Sequence, residues 1–179
     1  MNFAQWVEGV PEAIKNDSIW KMAAYRLALF LGDLAWADVT KLCRDRRTLG
    51  LSDQLYRAAG SISANLTEGY SRGTGKDRAR FYEYSLGSAR ETRDWYFKGR
   101  HILGQAVVEH RFQLAAEVIR LTPAMIPDQR GSVLKEDEAP YHAEPTAQQP
   151  PDSESLLNNV PMPTDQSSES PTYSEYPKT

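Results

Sequence analysis

Apolar residues recur at three- and four-residue intervals along most of the first 125 residues, the period of helices that bury one face. The first stripe is Trp20, Ala23, Ala24, Leu27, Phe30, Leu31, Leu34 and Ala35, with Asp17 or Ser18 as its N-cap. Tyr25, Leu29 and Trp36 lie off this stripe. A helix apolar on several sides predicts burial on several faces, by its own bundle or by another subunit. The polar run KLCRDRRTLGLSD, Lys41 to Asp53, interrupts the pattern. Ser52 then caps a second helix carrying Leu55, Ala58, Ala59, Ile62 and Leu66, which Gly69, Gly73 and Gly75 bring to an end. A third starts near Lys76 or Asp77. Phe81, Tyr84, Ser85, Ser88, Ala89, Thr92, Trp95 and Tyr96 repeat along it to about Leu103, where Gly104 breaks it. A fourth, Val107 to about Leu121, uses Val108, Phe112, Ala115, Ala116 and Ile119, and Pro123 disturbs its end. No β-alternation appears. The fold class is all-α, and the short connections predict an antiparallel up-down four-helix bundle.

Composition divides the chain into a lead-in at 1–17, the bundle at 18–130 and a Pro/Ser/Glu-rich tail at 131–179. In the lead-in, Trp6, Val7 and Val10 are placed to pack on the body, and Pro11 opens a short helix. The tail has too few large apolar residues to offset its ordering entropy, so it is expected to be disordered. Tyr141, Tyr173, Tyr176 and the Leu156–Leu157 pair are its candidate contact points. Residues 1–130 hold 19 Lys+Arg against 15 Asp+Glu, net +4, and residues 131–179 hold 2 against 9, net −7. The formal charge of −3 thus hides a basic body joined to an acidic tail. Fourteen of the body's basic residues are Arg, the side chain suited to bidentate phosphate or carboxylate contacts.

Other chemistry is sparse. Cys43 is the only cysteine, which excludes an internal disulfide and a cysteine-based zinc site. No Glu has a His three residues later, as a di-iron bundle requires. His101 and His110 are nine apart across Gly104, not on one helical face. GYSRG lacks the strand-to-helix setting of a nucleophile elbow, and GTGKD lacks the spacing of a P-loop. These readings predict no enzyme, no cofactor and no metal. The longest charge-free run in the apolar region, Leu27 to Gly32, is far short of the about 18 residues a spanning helix needs. No secretory signal pattern precedes the body, so the expected compartment is the cytoplasm.

The stretch RAAGSISANLTEGYSRG, Arg57 to Gly73, is crowded with small residues, and SLGSARET, Ser85 to Thr92, repeats the theme. Two small-faced helices packed together explain both, with Gly60 and Gly87 as the expected points of closest contact. Packing leaves Asn65, Glu68 and the arginines over. Either Asn65 or Glu68 satisfies the helix end, or Glu68 holds Arg72, or the two orient arginines toward a partner. Arg72, Lys76, Arg78 and Arg80 cluster around the second connection, where the start of the third helix adds partial positive charge. Arg44, Arg46 and Arg47 mark the preceding connection, at the opposite end of an up-down bundle. Repeated around a ring of subunits, each group would multiply its phosphate contacts.

The string Arg57, Ala58, Ala59, Ser61, Ile62, Asn65, Glu68, Gly69 and Arg72, followed by Phe81, Gly87, Ser88 and Glu91, resembles the four-helix-bundle family encoded in bacterial 23S rRNA intervening sequences. The resemblance runs from about Ile19 to Met125. Ser63-Ala64 and Leu66-Thr67 depart mildly from the common pattern, and the lead-in and tail lie outside it. It implies an up-down bundle, often a ring-shaped homopentamer. It is also similar to accessory proteins of diversity-generating retroelements, basic barrels that work with reverse transcriptase and nucleic acid. The function expected is a non-catalytic homo-oligomer that binds RNA or DNA through Arg57, Arg72, Lys76, Arg78 and Arg80, as an accessory to a nucleic-acid-processing enzyme. The alternative is an oligomeric interaction scaffold whose tail recruits or regulates a partner.

Overall fold

Four long helices follow the four stripes: α3 (Ala23–Leu42), α4 (Leu49–Tyr70), α5 (Gly75–Leu103) and α6 (Gln105–Arg130). The computed structural model describes residues 2–130 and 153–164. Before the bundle come α1 (Phe3–Gly9), α2 (Glu12–Lys15) and a 3₁₀ turn at Ser18–Lys21; after it comes α7 (Ser153–Asn158). Each long helix packs on its chain neighbours, α3 closes the square on α6, and the α3–α5 diagonal is sparse. This is the antiparallel up-down bundle.

The core is one continuous layer, including Phe30, Leu31, Leu34, Leu55, Ile62, Leu66, Leu114 and Val118. Ala58 and Ala59 on α4 are buried with Ser85 and Ala89 on α5, so the two small-residue runs do face inward. Ser85 Oγ donates to the Ile62 carbonyl at 2.9 Å, pinning α5 to the α4 backbone. The glycines expected at closest contact are not there. A Cβ built on Gly60 or Gly87 would meet nothing within 4 Å. Closest approach falls at Gly69, where a Cβ would lie 2.8 Å from Tyr82 Cε1 and 3.0 Å from Phe81 Cβ. Small size alone does not say which face a residue occupies.

Several boundaries differ from the sequence reading. Asp17 caps the 3₁₀ turn, not α3, by accepting from Ile19 N at 3.1 Å. Helix α4 begins three residues before Ser52, whose buried hydroxyl donates to the Thr48 carbonyl at 2.7 Å inside the first turn. Pro123 does not end α6, which continues to Arg130. Its ring is exposed, and Leu121, Met125 and Ile126 keep that turn against the core. Gly104 alone turns the chain from α5 into α6, with φ 89° and ψ 155°, a conformation essentially reserved for glycine. The fourth stripe is displaced: Ala116 is exposed and Phe112 and Ile119 are half-buried, whereas Arg111, Leu114 and Val118 lie in the core.

The lead-in packs as expected. Trp6 and Val10 are buried, Val7 is half-buried, and Trp6 Nε1 donates to Asp33 on α3 at 2.5 Å. Within the stretch read as structureless, residues 153–164 form α7 and an irregular run against the body, with Leu156 buried. Tyr141, Tyr173 and Tyr176 lie outside the described residues.

Candidate nucleic-acid interface

Helix α4 ends at Tyr70 and α5 starts at Gly75, so Ser71–Thr74 form the connection at one end of the bundle. Arg72, Lys76 and Arg80 are exposed there and Arg78 is half-buried. Arg78 Nε donates to the Arg72 carbonyl at 2.7 Å, which fixes the turn. Arg72 pairs with Glu68 one helical turn back, and its guanidinium lies 4.6 Å from the Phe81 ring centroid. Arg80 Nε donates to the Tyr84 hydroxyl at 2.7 Å. Two of the arginine guanidiniums therefore lie over aromatic rings. Thr74 caps α5 by accepting from Asp77 N at 3.2 Å and donates to the Asp77 carboxylate at 2.7 Å. Asp77 therefore offsets part of the positive field of this helix start.

The structure brings Arg72, Lys76, Arg78 and Arg80 to one connection and leaves Arg57 apart. Arg57 sits 15 residues before Arg72, about 22 Å along the helix, beside Asp53 at 3.8 Å. Glu68 takes the expected role of holding Arg72, while Asn65 satisfies its own helix by donating to the Ser61 carbonyl at 2.8 Å. Gly69 is the packing point described above. Of the later motif, Gly87 is exposed, Ser88 O accepts from Thr92, and Glu91 accepts from Trp95 Nε1 at 3.1 Å. At the α3–α4 connection Arg47 chelates Asp45 and holds its carboxyl down to about 2. A surface cleft of about 540 Å³ between α3 and α4, walled by Tyr25, Leu29, Ser63 and Thr67, ends at Glu68 and Arg72.

A buried polar cluster escaped the sequence reading. Arg111 and Asp38 are both fully buried, joined by Nε–Oδ2 at 2.8 Å and Nη2–Oδ1 at 3.2 Å. The Tyr96 hydroxyl donates to the same Asp38 at 2.8 Å; burial and that carboxylate push it well above its ordinary value. Arg111 Nη1 lies 2.8 Å from His110 Nδ1, and His110 Nε2 lies 2.8 Å from the Leu156 carbonyl. A guanidinium only donates and a carbonyl only accepts, so the ring is neutral with its hydrogen on Nε2. Burial and Arg111 hold the His110 pKa below 6.5. The unfolded chain therefore binds the proton more readily in the window below about 6.5, and stability rises with pH through that window. One proton limits the slope to about 1.4 kcal/mol per pH unit. Urea unfolding below about pH 6.5 is expected to show a rise with pH no steeper than this, and His110→Gln, whose amide offers both a donor and an acceptor, should flatten it. An unchanged slope in the variant would assign the effect to other groups.

Among the described residues, no group of three or more His, Cys, Asp or Glu is placed to hold a metal ion. No helix there is long and apolar enough to cross a membrane. A family model described as 23S rRNA-intervening sequence protein matches residues 20–122, from the turn before α3 to Thr122 in α6. No curated protein and no solved structure matches the chain.

Proposed function

The chain belongs to the 23S rRNA-intervening sequence protein family, and from that premise we propose that it is a non-catalytic, homo-oligomeric module binding nucleic acid, foremost RNA, as an accessory to a nucleic-acid-processing enzyme in the cytoplasm. The observation that carries this reading is the gathering of Arg72, Lys76, Arg78 and Arg80 at the α4–α5 connection. The Glu68–Arg72 pair is solvent-exposed, and such pairs contribute only about 0–1 kcal/mol, so a phosphate can displace the carboxylate at small cost. Arg57 is a separate contact on the α4 flank in this reading. Self-association is supported by Trp36, 63% exposed and packed edge-on against Tyr56 at 5.6 Å. A ring, the homopentamer implied by the resemblance, would repeat each basic connection at its own end.

Fluorescence anisotropy across a salt series, with labelled RNA and DNA of unrelated sequences, tests the proposal. Arg78→Ala with Arg80→Ala is expected to weaken binding about equally for all of them. The salt dependence should flatten by roughly 0.9 per lost contact on duplex DNA and about 0.7 on single strands. Removing the acidic tail should tighten binding at low salt and matter less at high salt. No salt-sensitive affinity for any nucleic acid would leave the scaffold reading, which the exposed Trp36–Tyr56 pair independently favours.

A further inference from the structure

The body presents a row of donors to residues 153–164, and most of that row is built without them. Arg111 is positioned by Asp38 through two nitrogens and by His110 through a third. A further bond runs from Nη2 to the Pro161 carbonyl at 3.0 Å. Asp38 is itself held by Tyr96. His110 Nε2 donates to the Leu156 carbonyl, and Lys41 Nζ donates to the Thr164 carbonyl at 2.8 Å. All three contacts reach main-chain oxygens, and Leu156 supplies the one deeply buried side chain, 5% exposed. Leu156 lies in α7 and Pro161 and Thr164 in the irregular run after it, so a helical turn and the coil behind it are held together: backbone bonds give affinity and one buried side chain gives register.

We propose that the surface formed by Lys41, His110 and Arg111 is a peptide-binding site for a leucine-anchored, proline-containing segment, occupied reversibly by the chain's own residues 153–164. Its donors come from α3 and α6, whereas the ligand arrives from outside the region shared with the family, residues 20–122. The 22 residues 131–152 join the end of α6 to α7. From Arg130 back to His110 is about 30 Å along the helix, and 22 residues reach up to about 70 Å, so the segment can dock on its own body. Tethering at this length sets an effective concentration on the order of millimolar, enough to keep a weak site filled.

A fluorescent peptide of residues 153–164, titrated into the intact chain and into full-length Leu156→Asp, tests this. The variant, its own segment released, should bind the peptide saturably, and the intact chain at least tenfold more weakly. Peptide carrying the same Leu156→Asp change should bind neither. Absence of binding to the folded variant, or equal binding to both chains, overturns the proposal. A second measurement leaves the dock unmutated: a protease site placed within 131–152 is cut after folding. The freed C-terminal fragment should co-elute with the body when concentrated, leave on dilution and be displaced by excess peptide. A fragment that separates even when concentrated, or that no excess of peptide displaces, overturns it equally.

Discussion

Asp38→Ala is expected to lose about 3–5 kcal/mol of unfolding free energy, the largest single-residue effect in this molecule. The substitution leaves the Arg111 guanidinium fully buried with no counter-charge, and removing one partner of a buried pair costs that much. It also takes the acceptor from Tyr96. Domains of this size hold about 5–15 kcal/mol in all, so the variant should sit near the edge of folding. The paired replacement Asp38→Leu with Arg111→Met removes the uncompensated charge and should cost less than Asp38→Ala alone, the remaining loss coming from the Tyr96 hydroxyl and His110 Nδ1 left without partners. Urea denaturation of the three chains checks both statements. A loss under about 1 kcal/mol for Asp38→Ala would mean that water reaches Arg111 and that the pair is not dry.

Gly69→Leu should be the second most damaging change, at about 3 kcal/mol, the upper end of the usual overpacking range. Its Cβ would fall within 2.9 Å of two Tyr82 ring carbons, and that ring is only 3% exposed, so it has little room to give. Gly87→Ala is the matched contrast. It adds a methyl where nothing lies within 4 Å and removes the roughly 1 kcal/mol penalty of glycine in a helix, so it should stabilise. Thermal melts of the two variants should move in opposite directions. Equal losses at both sites would place the α4–α5 contact elsewhere.

The bundle was legible because burial on one helical face is written as a local period, which needs no knowledge of the partner. Ala58, Ala59, Ser85 and Ala89 showed it. Phase failed where burial depends on a remote group. Arg111 and His110 were left off the fourth stripe because Asp38, which makes Arg111 tolerable in the core, is 73 positions away on α3. That misreading moved the fourth stripe onto Phe112, Ala116 and Ile119. Gly60 and Gly87 were misplaced for a related reason, since a glycine carries no polarity to mark its side of the helix. The basic cluster was found from its spacing around one turn, and Glu68 was offered as a partner of Arg72, but the contacts with Phe81 and Tyr84 required the folded geometry to be known. The Leu156–Leu157 pair was marked as a contact point, but residues 153–164 were given no structure because composition describes an average, and one leucine with three carbonyls does not alter an average.

The contacts of the docked segment have a consequence for how its sequence can drift. The body grips the oxygens of residues 156, 161 and 164, which every amino acid supplies alike. Asn158, Asn159 and Met162 are exposed, so exchanges there leave the oxygens where they are. Selection acting on the contact sees Leu156, an apolar Val160 against the core and two intervals, five and eight residues downstream, and is blind to the exposed letters between them. Descendants of this chain can therefore retain the seat while their tails diverge past recognition, whereas a one-residue insertion after Leu156 would slip the carbonyls out of step with Arg111 and Lys41 at once.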